Sequence, residues 1–211
     1  MGRCARSLIG PSIGLSMCSA RTPLCNDAMV ASTVAPHCGL LLSGGIDSAL
    51  VACLLRRDGW SVQAIWVDYG QPAASAERVA SRDLASHYRL DWRQITMSGM
   101  KVRCEGEVPG RNDMLVATAR ACVPGTTVAI GVHAGTSYAD CAAQWVDGWR
   151  TLLDWQHGGE VSLLAPLMTL HKPQVLALAK EYDVPIILTH SCEVGPVPCG
   201  RCLSCLDRQM L

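Results

Sequence analysis

No unbroken apolar run of about 18 residues occurs in this chain, so nothing in it reads as a membrane-spanning helix. Excess charge of either sign is missing too: 18 basic residues balance 18 acidic ones, and the pI is near 7.0. That balance removes the general electrostatic attraction on which binding to nucleic acid or an anionic membrane rests. Direct nucleic-acid or membrane partners are therefore not expected, and a small-molecule site is. Two familiar phosphate-binding signatures are also absent, the lysine-bearing G-x-x-x-x-G-K-[ST] and the dinucleotide G-x-G-x-x-G. At 211 residues the chain can bury one α/β core and is too short for two full domains.

What the sequence does contain is a stretch from Leu40 to Ser48, where three leucines stop at Ser43-Gly44-Gly45-Ile46-Asp47-Ser48. The leucines suit a strand buried on both faces, and 49–55 suits the helix that follows. Glycines between them let backbone N–H groups and a helix N-terminus approach an anion. Downstream, 62–67 reads as a second strand ending in Asp68-Tyr69-Gly70-Gln71, and 73–88 as an amphipathic helix. A weak strand at 92–96, a helix at 114–122, a buried strand at 127–132 and helices at 143–157 and 172–182 complete the alternation. Such alternation predicts a doubly wound, Rossmann-like parallel sheet, with ligands at the carboxyl ends of its strands.

Those strand ends select the candidate residues. Asp68, Tyr69 and Gln71 fall near the phosphate loop. Arg111, after a Pro-Gly turn, has the planar fork that matches phosphate or carboxylate. Lys172 starts a helix, where the dipole disfavours a cation, which hints at an anionic partner. Trp145, Trp149 and Trp155 are expected to pack in the core rather than to serve as a stacking platform.

Four of the twelve cysteines lie in the last 20 residues, as Cys192, Cys199, Cys202 and Cys205. Two overlapping C-x-x-C steps on a Pro-Cys-Gly turn suit a structural zinc ion in a closed tetrahedral site. An iron–sulfur cluster and a redox dithiol are the competing readings. The other cysteines, Cys53 and Cys122 among them, read as small core residues, and a reducing cytoplasm fits the set. Residues 1–37, with Arg3 and Arg6 before an apolar run broken by Pro11, are expected to form an extension without order; a start at Met29 is the other reading. Residues 38–190 would then form the nucleotide-binding domain and 191–211 a zinc-binding segment packed on it.

The motif S-G-G-x-D-S resembles the pyrophosphate loop of the N-type ATP pyrophosphatases (PP-loop proteins), which activate a carboxyl or carbonyl oxygen by adenylation. With Asp68-Tyr69-Gly70-Gln71, Val108-Pro109-Gly110-Arg111-Asn112, Ile130-Gly131-Val132, Tyr138-Ala139-Asp140-Cys141, Pro166-Leu167-Met168, Lys172 and the terminal cysteines, the chain from residue 38 on is similar to the 7-cyano-7-deazaguanine synthase (QueC) family. The resemblance implies an ATP-dependent ligase that adenylates 7-carboxy-7-deazaguanine, admits ammonia to form the amide, and dehydrates the amide to the nitrile with a second ATP. It implies that Leu42, Ser43, Gly44, Gly45, Ile46, Asp47 and Ser48 hold ATP with magnesium, and that Asp47, Lys172 and Arg111 serve the chemistry. Asp68, Tyr69, Gln71, Arg111, Asn112, Tyr138 and Asp140 would contact the deazaguanine substrate.

Three departures from the family pattern stand out. Ala142-Ala143-Gln144 replaces Arg-Pro-Glu, Pro72-Ala73 replaces Arg-His, and His133 stands where asparagine is usual. They leave the ATP loop whole and touch the expected substrate region. A ligase joining a deazaguanine carboxylate to another amine, such as one on a protein, stays open at this point, as does a zinc-bearing nucleotide-binding protein without turnover. A homodimer is permitted by the short chain and its tryptophans.

Overall fold

The computed structural model describes residues 35–100, 108–123 and 127–211. Of the expected extension only 35–37 are among them, and His37 opens the first strand. The elements run β1 (His37–Leu41), α1 (Ile46–Arg57), β2 (Ser61–Asp68), α2 (Ala74–Tyr88), β3 (Asp91–Thr96), α3 (Arg111–Cys122), β4 (Thr127–Ala129), α4 (Ala143–His157), β5 (Leu163–Leu164), α5 (Lys172–Glu181) and α6 (Leu203–Arg208). Short 3-10 turns lie at Ala139–Cys141 and Ile186–Leu188.

All five strands are parallel, in the order β3-β2-β1-β4-β5. The order follows from the sequence: strand-forming runs alternate with helices, so each strand must cross over to a parallel neighbour, and both sheet faces are covered. Leu40, Leu42 and Leu50 belong to one apolar cluster with α1 and α5, while Leu41, Ile65 and Val116 belong to a second with α3 and α4. Consecutive leucines of β1 thus point into opposite layers, as a strand's period of two requires. Each fully buried Leu or Ile contributes about 1.5–3 kcal/mol of transfer free energy.

The order reverses between β1 and β4. At that switch point the connections leave the sheet to opposite sides and open a crevice above the strand ends. The β4 strand stops at Ala129 rather than at Val132 because the chain beyond it drops onto the start of α1. A Cβ built on Gly131 would lie 3.0 Å from Ser48 N and 3.1 Å from the Asp47 carbonyl carbon. Only glycine lets the two segments meet so closely.

Candidate active site

The phosphate loop, residues 42–48, forms the floor of the crevice. Gly44 has φ +92, and a Cβ there would come within 2.9 Å of both Ala80 Cβ and the Glu77 carbonyl of α2. Gly45 is the N-cap of α1, and no side chain caps that end. The first-turn N–H groups are therefore left for an anion, with the helix dipole behind them. The hydroxyls of Ser43 and Ser48 are 3.2 Å apart, and Ser48 Oγ donates to the Gly45 carbonyl at 3.0 Å. Leu42 and Ile46 are buried at the ends of the loop and can offer only backbone to a ligand.

Asp47 and Lys172 meet here. Lys172 Nζ donates to Asp47 Oδ1 at 2.7 Å and to Oδ2 at 2.9 Å. The pair joins the N-terminal turns of α1 and α5, so the anionic partner suggested by the lysine's awkward place is supplied, in this structure, by the aspartate. At the start of α5 the Gln174 side chain reaches back, its Oε1 accepting from His171 N at 2.8 Å. His133 Nε2 lies 4.0 Å from Asp47 Oδ2, while its Nδ1 bonds the Ala134 carbonyl at 2.8 Å.

A cleft of 560 Å³ contains this floor and is walled by Arg111, Tyr138, Cys141 and His190. It shares Tyr69, Gln71, Glu77, Arg111, Tyr138 and Glu193 with an adjoining hollow of 410 Å³. Both fall in the size range of small-ligand sites. Tyr69 and Arg111 lie side by side in the shared wall. Burial opposes the charge on Arg111, but Tyr69, Asp140 and Cys141 outweigh it and hold the guanidinium protonated. Burial in turn pushes the Tyr69 hydroxyl and the Cys141 thiol up.

Gln71 and Asn112 line the cleft and also bond their neighbours. Gln71 is 7% exposed; its Oε1 accepts from Tyr69 N at 2.9 Å, and its Nε2 donates to the Val67 carbonyl at 3.1 Å and to Glu77 at 2.7 Å. With both donors used, it holds its loop in shape. Asn112, 4% exposed, gives Nδ2 to the Asp140 carbonyl at 2.8 Å and to Cys141 Sγ at 3.3 Å. Asp140 Oδ2 accepts from Asn112 N at 3.1 Å, in the first turn of α3, and its side chain still borders the smaller hollow. Asp68 Oδ1 accepts from Gly70 N at 3.0 Å, which shapes the turn, and Asp68 is not among the residues lining either cavity. Tyr138 borders both.

Three features were not anticipated. Glu77 borders both cavities, and burial raises its carboxyl above the usual range, against the pull of Gln71 and His190. Trp66 Nε1 makes no hydrogen bond of its own, although its N–H dipole favours the Glu77 carboxylate. No local motif marks this glutamate. Asp113 Oδ1 accepts from both Trp145 Nε1 at 2.7 Å and Trp149 Nε1 at 2.9 Å, closing one side of the smaller hollow. The i, i+4 spacing of the two tryptophans was the available signal. Trp155, by contrast, is 81% exposed and does not join the core as expected.

The cysteine cluster lies beside the cleft. The sulfurs of Cys192, Cys199, Cys202 and Cys205 are all within 4.8 Å of one another. Tetrahedral coordination at bond lengths of about 2.3 Å needs sulfurs about 3.8 Å apart, so the set can hold a metal ion. Backbone N–H groups of Arg201 and Cys202 pull the Cys199 thiol down to about 6. Cys205 is pushed up to about 12 by burial, a cost that a bound cation would reverse. The segment is tied to the ATP loop by His190, whose N–H donates to the Gly44 carbonyl at 2.9 Å and whose Nε2 contacts the Cys192 and Gly195 carbonyls at 3.1 Å.

Comparison with known proteins agrees with this arrangement. The family described as queuosine biosynthesis protein QueC matches residues 101–210, and the asparagine synthase family matches residues 27–103. The 7-cyano-7-deazaguanine synthase of Methanospirillum hungatei is 30% identical, over 78% of this chain and 89% of that protein. The protein of the same name from Synechococcus sp. strain RCC307 is 32% identical, over 80% of this chain and 90% of its own length. Among solved structures, the NMN synthetase of Francisella tularensis shows a TM-score of 0.49 at 21% identity, covering 77% of this chain and 68% of that one. A phosphate loop, a two-part cleft and four metal-competent cysteines in one chain, with relatives matched along most of their length, make this chain a member of the QueC family.

Proposed function

We propose that this chain is an ATP-dependent nitrile-forming ligase acting on 7-carboxy-7-deazaguanine and ammonia. The observation that carries the reading is the continuity of the 560 Å³ cleft over the phosphate loop with the 410 Å³ hollow beyond Tyr69 and Arg111. The first suits a nucleotide and the second a flat heterobicycle, so the carboxyl group of the second would meet the α-phosphate of the first at their shared wall.

A carboxylate is a poor electrophile until its oxygen carries a good leaving group. In the first half-reaction the α1 N-terminus, Ser43 and Ser48 hold the phosphates, and Asp47 would hold a magnesium ion bound with ATP. Magnesium would supply charge neutralisation to the departing pyrophosphate. Lys172 offers its ammonium to the same charge. Arg111 orients the substrate carboxylate with its planar fork. Tyr69, Tyr138 and Asp140 line the path of the heterocycle, with Gln71 and Asn112 holding them in place. Zinc is the ion assigned to Cys192, Cys199, Cys202 and Cys205; four thiolates leave it no open position, so its role is structural. The setting is the cytoplasm, where these thiols stay reduced, and the partners are small molecules.

Incubating the zinc-loaded protein with magnesium ATP, 7-carboxy-7-deazaguanine and ammonium tests the reading. AMP release is expected, together with an amide that loses about 18 mass units as water. AMP release that stops at the amide would sink the nitrile step, and no AMP at all would sink the activation.

A further inference from the structure

Six residues border both cavities and so stand at the wall where a bound nucleotide and the carboxyl group of a second substrate would meet: Tyr69, Gln71, Glu77, Arg111, Tyr138 and Glu193. Among them is one half-buried carboxylate, Glu77, on the first turn of α2. Its Oε2 accepts from Gln71 Nε2 at 2.7 Å, and no donor among the described residues bonds Oε1. Trp66 Nε1, buried on β2, favours the charged form without bonding it. Oε1 is therefore open to a donor that arrives with a ligand.

The other groups at the wall are less able to take a proton. Arg111 is a cation without a lone pair. The Gln71 amide spends Oε1 on Tyr69 N and Nε2 on the Val67 carbonyl and Glu77. Burial pushes the Tyr69 hydroxyl up, so it stays a phenol. Tyr138 is 47% exposed, and solvent surrounds much of it. Glu193 is exposed and accepts from Ser204 Oγ, which ties it to the cysteine segment. Around Glu77, burial raises the carboxyl above its usual range, while Gln71 and Trp66 from the β2 side, His190 from the C-terminal segment and Arg111 from α3 pull it back only in part. Once ionised it is thus a stronger base than an exposed carboxylate.

From this placement we infer that Glu77 takes the proton that ammonia must shed when it attacks the activated carboxyl carbon. The inference rests on the reaction proposed above. In the step, the ammonia lone pair forms the C–N bond, the C–O bond to phosphate breaks, and its electron pair leaves with AMP. The surplus proton on nitrogen passes to Glu77 Oε1, which becomes a neutral acid and returns the proton to water after the amide has formed. Gln71 anchors the carboxylate at the wall through Oε2.

The test separates the two halves of the reaction. ATP–pyrophosphate exchange driven by the carboxylate reports activation and needs no ammonia; amide formation reports attack. Glu77→Gln keeps an acceptor for Gln71 but cannot titrate. It should slow amide formation by about 10²–10⁴-fold, with a loss at least about tenfold greater than the loss in exchange. The acid limb of amide formation, plotted per concentration of free ammonia, should disappear with it. Hydroxylamine, a far weaker base that sheds its proton readily, should suffer at least about tenfold less than ammonia in the same variant. Equal losses in both half-reactions, an acid limb kept in Glu77→Gln, or equal losses with the two amines would overturn the assignment while leaving the proposed function standing. Absence of exchange in the unaltered protein would overturn the function, and this inference with it. Melting curves taken in parallel identify a variant that has merely unfolded. In that case Glu77→Asp, whose carboxylate is drawn back by one methylene, decides: its ratio of amide formation to exchange should fall by at least about tenfold, and an unchanged ratio would overturn the assignment.

Discussion

Asp47 must serve two cations in turn. In this structure it binds Lys172 at 2.7 and 2.9 Å, and in the proposed reaction it must give way to a metal-bound nucleotide. Asp47→Ala should therefore abolish AMP release while leaving the metal content of the protein unchanged, measured by product analysis and metal assay side by side. Surviving turnover would remove the phosphate loop from the mechanism. The same change leaves a cation alone at a helix N-terminus, which disfavours it by about 0.3–1 kcal/mol, so a small fall in melting temperature should accompany the lost activity. Glu77 gives a residue-scale prediction about stability. Its carboxyl is raised chiefly by burial, so the folded protein holds a proton that the unfolded chain has already released just above the ordinary value of 4.5. More protons bound in the folded state mean that stability falls as pH rises from that value through the raised one. Glu77→Gln keeps a group able to bond Gln71 and should flatten that fall, as denaturant melts between pH 4 and 7 would show; an unchanged slope would mean that the buried carboxylate is not the cause. Single residues were unevenly legible in the sequence. The loop glycines and Asp47 announce themselves, because their order behind a buried strand has few other uses. Glu77 does not, because its importance comes from α2 folding its first turn under Gly44, a contact no local pattern encodes.

Elements were easier to read than their ends. Every strand and helix from β1 to α5 except the two-residue β5 was visible as a change of hydrophobic period, since burial on one face leaves its mark on the residues that make it. The end of β4 was not, because Gly131 leaves the sheet for a tertiary contact with α1 rather than for any turn signal of its own. The small helix α6 also went unread, its six residues being held by what surrounds them: Arg208 reaches back to the Thr189 hydroxyl and to the Ile186 carbonyl at 2.7 Å. This C-terminal element is joined to the phosphate loop through His190, bonded by its N–H to Gly44 and by its ring to the carbonyls of Cys192 and Gly195. Loss of the metal should consequently be felt by ATP. Cys202→Ser should lower zinc content and thermal stability together, since metal binding is coupled to folding. Its remaining folded fraction should bind ATP more weakly, by about tenfold if the His190 tie contributes one ordinary hydrogen bond or two. Full zinc occupancy in the variant would remove the ligand set, and unchanged ATP affinity with zinc lost would show that the two regions are independent.

At the scale of the whole molecule, the reversal of strand order between β1 and β4 is what gives the protein two adjoining binding volumes. The groups assigned to phosphate in the proposed reaction stand on α1 and α5, while the smaller hollow is lined by residues of the β2 exit, the start of α3, the 138–140 turn and Trp145. The altered positions divide between the two sides: 142–144, where the chain enters α4, and Pro72 lie towards the smaller hollow, whereas His133 lies 4.0 Å from Asp47 at the phosphate loop, so the changes are not confined to the acceptor half as expected. Arg111 sits on the boundary and borders both cavities. If its fork orients the substrate carboxylate, Arg111→Ala should raise the KM for 7-carboxy-7-deazaguanine by about 10–100-fold, the cost of one charge-assisted contact of about 1.5–3 kcal/mol. The KM for ATP should move far less, and Arg111→Lys should recover little, because a point charge does not reproduce the two-pronged contact. Steady-state kinetics with each substrate varied in turn decides the matter. A rise confined to ATP would transfer Arg111 to the phosphate side and leave the hydroxyls of Tyr69 and Tyr138 as the donors that receive the carboxylate.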